Sequence, residues 1–152
     1  MENSLITDEI RGWIGRSEPA GTVEVSRREI IRYALASEQR LKKFLNGDEA
    51  PVMFLFGLFR PLVPIDDLGP DGLAAPVAAP DLPLKRIMAG GVQIEQHQPI
   101  KPGQRLTGTR TLTNISEKSG KQGPLIFLTY RLAVTTETGE PVADEYQTRI
   151  AR

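Results

Sequence analysis

Few side chains in this sequence are able to move protons at neutral pH. One histidine, His97, is present in 152 residues, so any mechanism that needs imidazole must use it. It follows Glu95 by two positions in Val92-Gln93-Ile94-Glu95-Gln96-His97, where Val92 and Ile94 alternate with polar residues. That alternation predicts a half-buried strand with Glu95 and His97 on its polar face. Two readings follow. The pair faces a substrate cleft as a carboxylate and an imidazole for acid–base work, or it consists of solvated or cross-strand-paired side chains. Cysteine is absent, which excludes disulfides, thiolate zinc sites and a cysteine nucleophile, and is compatible with a reducing compartment. Gly120-Lys121 lacks the upstream glycine spacing of a Walker phosphate loop and reads as a hairpin turn. No nucleophile, metal or nucleotide motif stands out.

The elements that must position these residues are legible in outline. Thr7 suits an N-cap, with Asp8 and Glu9 in a first turn and Ile10, Trp13 and Ile14 at helical spacing, ending near Gly15. After a break at Pro19 and Gly21, Thr22 to Val25 reads as a short strand. Ser26-Arg27-Arg28-Glu29 has the spacing of a capping box, and Ile30, Ile31, Ala34 and Leu35 form the apolar stripe of the helix behind it. Leu41 to Leu45 reads as a further helical turn before Asn46-Gly47. Prolines 51, 61, 64, 70, 76 and 80 deny long regular elements to the middle of the chain, and 66–81 reads as a long loop. Strands are predicted over 92–98, 105–116, 125–136 and 142–150. The stretch from Met88 to Leu112 reads as a strand, a turn and a strand, an antiparallel pair that leads into a meander. The fold class is α+β, with a curved antiparallel sheet covered on one face by a helix.

Composition narrows the function classes. Nineteen basic and nineteen acidic residues cancel, which disfavours a partner made of nucleic acid or anionic membrane. The acidic opening Met-Glu-Asn-Ser-Leu-Ile-Thr-Asp-Glu-Ile does not read as a signal peptide, and a cytoplasmic protein is expected. The most apolar run, 51–59, is far shorter than the roughly 20 residues a spanning helix needs. At this length a single domain over 1–152 is expected.

Two segments together resemble a known family. Ile14-Gly15-Arg16, Thr22-Val23-Glu24-Val25-Ser26 and Ile30-Ile31-Arg32-Tyr33-Ala34-Leu35-Ala36 resemble the opening of the MaoC-like dehydratase N-terminal domain, the fungal fatty-acid-synthase-like dehydratase domain. Gly90-Gly91, Gln93 to Ile100 and Pro102-Gly103-Gln104-Arg105-Leu106 resemble its second half, and Gly123-Pro124-Leu125-Ile126-Phe127 fits the strand that follows. The resemblance implies a hot-dog fold, in which a long central helix is wrapped by a curved antiparallel sheet and a second hot dog is paired with it. It also implies coenzyme A thioester substrates, water added across or removed from a trans-2-enoyl thioester, and no cofactor or metal.

In the catalytic members of that superfamily an aspartate and a histidine share one water, within Gly-Asp-x-Asn-Pro-x-His. Here the nearest match is Gly47-Asp48-Glu49-Ala50-Pro51-Val52-Met53, with Ala50 in place of asparagine and Met53 in place of histidine. Either Asp48 is a displaced relic of the catalytic aspartate, or Ala50-Pro51-Val52-Met53-Phe54 matches the Ala-Pro-x-x-Phe segment that non-catalytic N-terminal halves carry, and the second alignment is preferred. Asp48, His97 and Glu95 are the catalytic candidates. Met53, Phe54, Phe56 and Met88, with Phe59, would line an acyl tunnel or pack a core. Gly90 and Gly91 would let backbone amides approach a thioester or a pantetheine chain, or allow a tight turn. The expected role is a homodimer subunit, or one subunit of a hetero-oligomer whose catalytic MaoC-like partner holds the dyad. A hot-dog thioesterase using Glu29 or Glu38, or a binding module without activity, are the alternatives.

Overall fold

The computed structural model describes residues 4–70, 72–74 and 78–152. The described residues form one five-stranded antiparallel sheet in the order β1-β3-β4-β5-β2, from β1 (Ser17–Glu24), β2 (Ile87–Gln96), β3 (Arg105–Gly120), β4 (Gly123–Thr136) and β5 (Pro141–Ala151). β3, β4 and β5 are the predicted meander, and the β3–β4 pairing continues to Gly120 opposite Gly123. The predicted pair of β2 with β3 is not made. β2 lies on β5 at one edge, with Glu95 opposite Asp144, while β3 pairs with β1 and β4. The chain between them crosses beneath the sheet, anchored by buried Ile100, whose carbonyl accepts from Ala50 N at 2.8 Å. β1 starts at Ser17, before the predicted break. It is an edge strand, so the missing N–H of Pro19 is tolerated, and a register shift between Pro19 and Gly21 absorbs the irregularity.

Helices are short. α1 (Asp8–Arg11) is capped by Thr7, whose side chain accepts from Ile10 N at 3.2 Å. α2 (Arg27–Ala36) is capped by Ser26, which accepts from Glu29 N at 3.1 Å. Glu29 departs from the capping box: its carboxylate accepts from the Ser26 hydroxyl at 3.0 Å instead of from the serine amide. α3 (Lys42–Leu45) and α4 (Leu55–Leu58) follow, the latter after a 3-10 turn over Val52–Phe54. The stretch 66–81 contains only a 3-10 turn over Ile65–Asp67 and a single bridge between Leu68 and Ala74, and residues 71 and 75–77 of that predicted loop lie outside the described residues. None of the described helices is long and apolar enough to cross a membrane.

Ten helical residues span about 15 Å, whereas the sixteen of β3 run to about 50 Å. α2 therefore covers only part of the sheet, and two separate apolar clusters do the work of one long helix. Along β4, Ile126, Leu128, Tyr130, Leu132 and Val134 are all buried at alternate positions and define the inner face. At one end Val25, Ile30, Phe54, Leu55 and Phe59 pack on Leu132 and Val134. At the other, Ile6, Ile10 and Leu82 pack on Leu112, Ile115, Ile126 and Leu128. Each fully buried aliphatic side chain contributes about 1.5–3 kcal/mol of burial. Leu35, expected on the buried stripe, is 64% exposed, so α2 seats itself on Ile30 and Ala34. Gly108 is required by this packing: a Cβ there would stand 2.9 Å from the Phe59 ring.

Candidate functional site

The predicted Glu95 and His97 pair lies on the outer face. His97 follows the end of β2, with its backbone N–H donating to Val142 O at 2.8 Å. Its Nε2 lies 2.9 Å from Asp144 Oδ2, and Arg131 donates to Asp144 Oδ1 from Nε at 2.8 Å and from its terminal nitrogen at 2.8 Å. A carboxylate only accepts, so Nε2 of His97 carries the proton. The ligand atoms of Glu95, His97 and Asp144 all lie within 4.8 Å of one another, a spacing that a metal ion would accept. Arg131 already supplies a positive charge to the same carboxylate, so this is a charge-paired cluster and a poor cation site. It borders an open depression of about 380 Å³ walled by Ala133, Thr135, Pro141 and Ala143.

Asp48 is elsewhere. It is exposed beside α2, paired with the Arg27 guanidinium, which also donates to Asn46 O at 2.8 Å. Met53, in the place of the motif's histidine, is 40% exposed and contributes no base. Among the tunnel candidates, Phe54 belongs to the core, edge-on to Tyr33 with ring centroids 5.7 Å apart, because the 3-10 turn points it beneath α2. Phe59 is buried against Gly108. Phe56 is half-buried beneath the Arg60 guanidinium, 4.8 Å from the ring centroid, and Met88 is half-buried opposite Ile150. Gly90 and Gly91 sit inside β2, not at a turn, with the register shift falling between Ala89 and Gly91. A Cβ on Gly90 would meet Thr148 at 3.0 Å, whereas nothing approaches Gly91 within 4 Å. Glu29 is held by Ser26, and Glu38 lies exposed beyond α2 at φ 55.

A second polar group, unread in the sequence, lies on the inner face between the two apolar clusters. Tyr130 is its centre. Leu112 and Gln147 flank it laterally, and Arg110, Glu145 and Arg149 occupy diagonal positions on the neighbouring strands. Gln147 donates to Glu145 Oε1 at 2.7 Å, while Glu145 Oε2 is buried with no partner among the described residues. Arg149 lies over the Tyr130 ring at 5.3 Å. Burial raises the Glu145 carboxyl above its ordinary value, opposed by the Gln147 hydrogen bond and by the charges of Arg110 and Arg60. Burial likewise lowers Arg110 and raises Tyr130. A cavity of about 320 Å³ opens beside them, lined by Trp13, Arg16, Glu18, Arg110 and Tyr130. The signal was present in β5. Glu145, Gln147 and Arg149 share the parity of buried Ala143 and Ala151, so this strand carries polar residues on both faces.

A family model for the FAS1-like dehydratase domain region matches residues 12–145. A mesaconyl-C(4)-CoA hydratase of Chloroflexus aurantiacus is 30% identical over 122 residues, covering 77% of this chain, and the chain spans only 42% of that relative's length. Among solved structures, a MaoC-like dehydratase superposes with a TM-score of 0.69 at 17% identity, over 93% of this chain and 43% of its own. The C-terminally truncated HadBC (3R-hydroxyacyl-ACP dehydratase) complex of Mycobacterium tuberculosis gives 0.65 at 15%, over 91% of this chain and 97% of the matched one. The sheet order, the helix seated on one face and these matches agree: this chain is a hot dog and belongs to the FAS1-like dehydratase family, within the MaoC-like group.

Proposed function

We propose that this chain is the non-catalytic hot-dog half of an enoyl-CoA hydratase or dehydratase, acting in the cytoplasm and paired with a second hot dog that carries the aspartate and histidine. One observation carries this reading. Asp48, the only residue at the motif's aspartate position, is held by Arg27 on the exposed surface with Met53 where a histidine belongs, and the sole histidine is bound to Asp144 on the outer face. A carboxylate without an imidazole cannot share and polarise one water for attack at Cβ.

Three further features support it. The relative from Chloroflexus aurantiacus, a hydratase by name, is more than twice as long as the matched segment, room for two such domains. The matched chain of the HadBC complex is of this size. The chain also exposes apolar side chains after α4, Leu62 at 99% and Ile65 at 84%, which a partner would cover. Of the two sheet edges, β1 is blunted by Pro19, whereas β2 runs Ile87–Gln96 without proline and is the edge open to a second sheet. In this arrangement a backbone amide of the catalytic partner steadies the enolate oxygen. This chain supplies the interface and part of the acyl wall from Met53 and Phe56, and no cofactor is needed beyond the thioester itself.

The test is native mass and trans-2-enoyl-CoA hydration by the chain alone and by the chain co-purified with hot dogs that contain Asp-x-Asn-Pro-x-His. Turnover is expected only in the mixed complex. Turnover by the lone chain, lost on Asp48→Asn or His97→Ala, overturns the reading.

A further inference from the structure

Three polar groups line the cavity of about 320 Å³ on the inner face: the Arg110 guanidinium, the Glu18 carboxylate and the Tyr130 hydroxyl. Arg110 on β3 and Glu18 on β1 stand directly opposite one another, and both are half-buried. Opposite charges at such cross-strand positions ordinarily close on each other. Here they do not: among the described residues neither side chain joins a hydrogen bond or an ion pair. Each still feels the other, since burial depresses the Arg110 guanidinium and the Glu18 charge opposes that depression. Tyr130 is 4% exposed, and its hydroxyl also makes no hydrogen bond among the described residues. Only Glu145 Oε2 is both enclosed and unbonded among those residues, so the Tyr130 hydroxyl is not enclosed and opens on the cavity that its side chain lines.

The remaining walls are apolar. Trp13 and Leu112 line the same cavity, and the Arg16 guanidinium lies over the Trp13 ring at 4.2 Å from its centroid, which steadies the ring. Half-buried charges are costly until they are paired. A simple anion at Arg110 would meet the like charge of Glu18, and a simple cation at Glu18 would meet that of Arg110. A guest that carries both charges close together meets each with its complement, and the pair of residues then calls for no net charge. An α-amino acid has this form, with carboxylate and ammonium on one carbon and a third substituent free to face an apolar wall. The cavity is at the small end of the roughly 300–1,000 Å³ range of ligand pockets, a size for a single amino acid and not for a long chain.

We infer that this cavity binds an aromatic α-amino acid, with its carboxylate on Arg110, its ammonium on Glu18 and its ring against Trp13 and Leu112. The Tyr130 hydroxyl supplies a further donor to the guest. These are binding residues with no role in moving water, and the inference does not rest on the hydratase reading.

Trp13 is the only tryptophan in the chain, so its fluorescence reports occupancy of the cavity it lines. The experiment titrates the purified chain with L-phenylalanine, with 3-phenylpropionate, which lacks the ammonium, and with 2-phenylethylamine, which lacks the carboxylate. Emission of Trp13 and heat of binding are followed in parallel. L-Phenylalanine is expected to shift the emission saturably and to bind about tenfold or more tighter than either analogue, the scale of one hydrogen bond to a charged group. In Glu18→Gln the advantage over 3-phenylpropionate disappears while 3-phenylpropionate itself binds no worse. In Arg110→Gln the advantage over 2-phenylethylamine disappears. Both variants are first matched to the parent by circular dichroism. The ranking of the three ligands is read on the parent chain, so it decides the matter even where a variant fails to fold. No saturable binding of L-phenylalanine, either analogue binding as tightly as the amino acid, or an advantage that survives both substitutions overturns the inference. Each of those outcomes leaves the hydratase reading standing, because that reading is tested by turnover of the mixed complex.

Discussion

Glu145→Gln isolates the cost of the orphaned carboxylate. The amide keeps the shape of the side chain and can still accept from Gln147, but it cannot ionise. In the folded protein burial raises the Glu145 carboxyl above its ordinary value of 4.5, so the native state holds this proton more tightly than the unfolded chain does. Where the native state binds more protons, stability falls as pH rises. The parent protein is therefore expected to lose stability as pH climbs from about 4.5 through the raised native value, and the variant is not. A buried group left without a partner costs about 1–3 kcal/mol. At pH 8 the variant should then be more stable than the parent by about 1 kcal/mol or more, a Tm gain of about 2–4 °C per kcal/mol for a domain of this size. At pH 4 the two should coincide. Paired thermal melts across that range, with no carboxylate ligand present, measure the difference. A gap that does not change with pH, or a variant that is less stable at pH 8, refutes the argument that Glu145 is a buried acid with one unpartnered oxygen.

Other perturbations test other parts of the structure. Gly108→Ala drives a methyl to 2.9 Å from the Phe59 ring and should cost about 1–3 kcal/mol by urea unfolding. Phe54→Ala removes a core ring and should cost about 3–5 kcal/mol, the size of a cavity and not of a tunnel wall. Asp48→Asn breaks an exposed ion pair, so its stability change should stay within about 1 kcal/mol and the turnover of a mixed complex should not move. Asp144→Ala strips the partner from both Arg131 and His97 and should destabilise by about 1–3 kcal/mol in the same assay.

The legible parts of the fold were those whose signal is local. β4 alternates strictly in burial, β3 to β5 are separated by turn chemistry, and the Thr7 and Ser26 caps declare two helix starts within three residues of themselves. What sequence order hid was pairing. β2 and β3 are neighbours in the chain but lie on opposite sides of β4 and β5, because the segment through Ile100 carries the chain across instead of turning it back. β1 was shortened in prediction by Pro19 and Gly21, whose effect depends on whether the strand is an edge, and that is a tertiary fact. The same holds for the site. Alternation made Glu95 and His97 the visible polar pair, whereas Glu145 and Arg110 belong to the face that alternation assigns to the core.

Burial and partner count together distinguish the two adjacent acids of β5. Asp144 and Glu145 are adjacent in β5 and both buried, so exposure alone would rank them alike. Asp144 accepts from Arg131 and His97, and its neighbours are held by the bond they make to it. Such a cluster gains nothing from a further ligand and loses much if broken, which is the behaviour of a structural pin. Glu145 has one oxygen tied to Gln147 and one without a hydrogen-bond partner among the described residues, while Arg149 on the same face stacks on Tyr130. An isolated chain would lower its free energy by placing leucines at those positions, since the two apolar clusters would then merge into one. The retained polar band divides the core at the level of Tyr130, where a single long helix would otherwise have sealed it. A short α2 and a polar level at Tyr130 are thus two aspects of one feature: the inner face is packed by two apolar clusters instead of one.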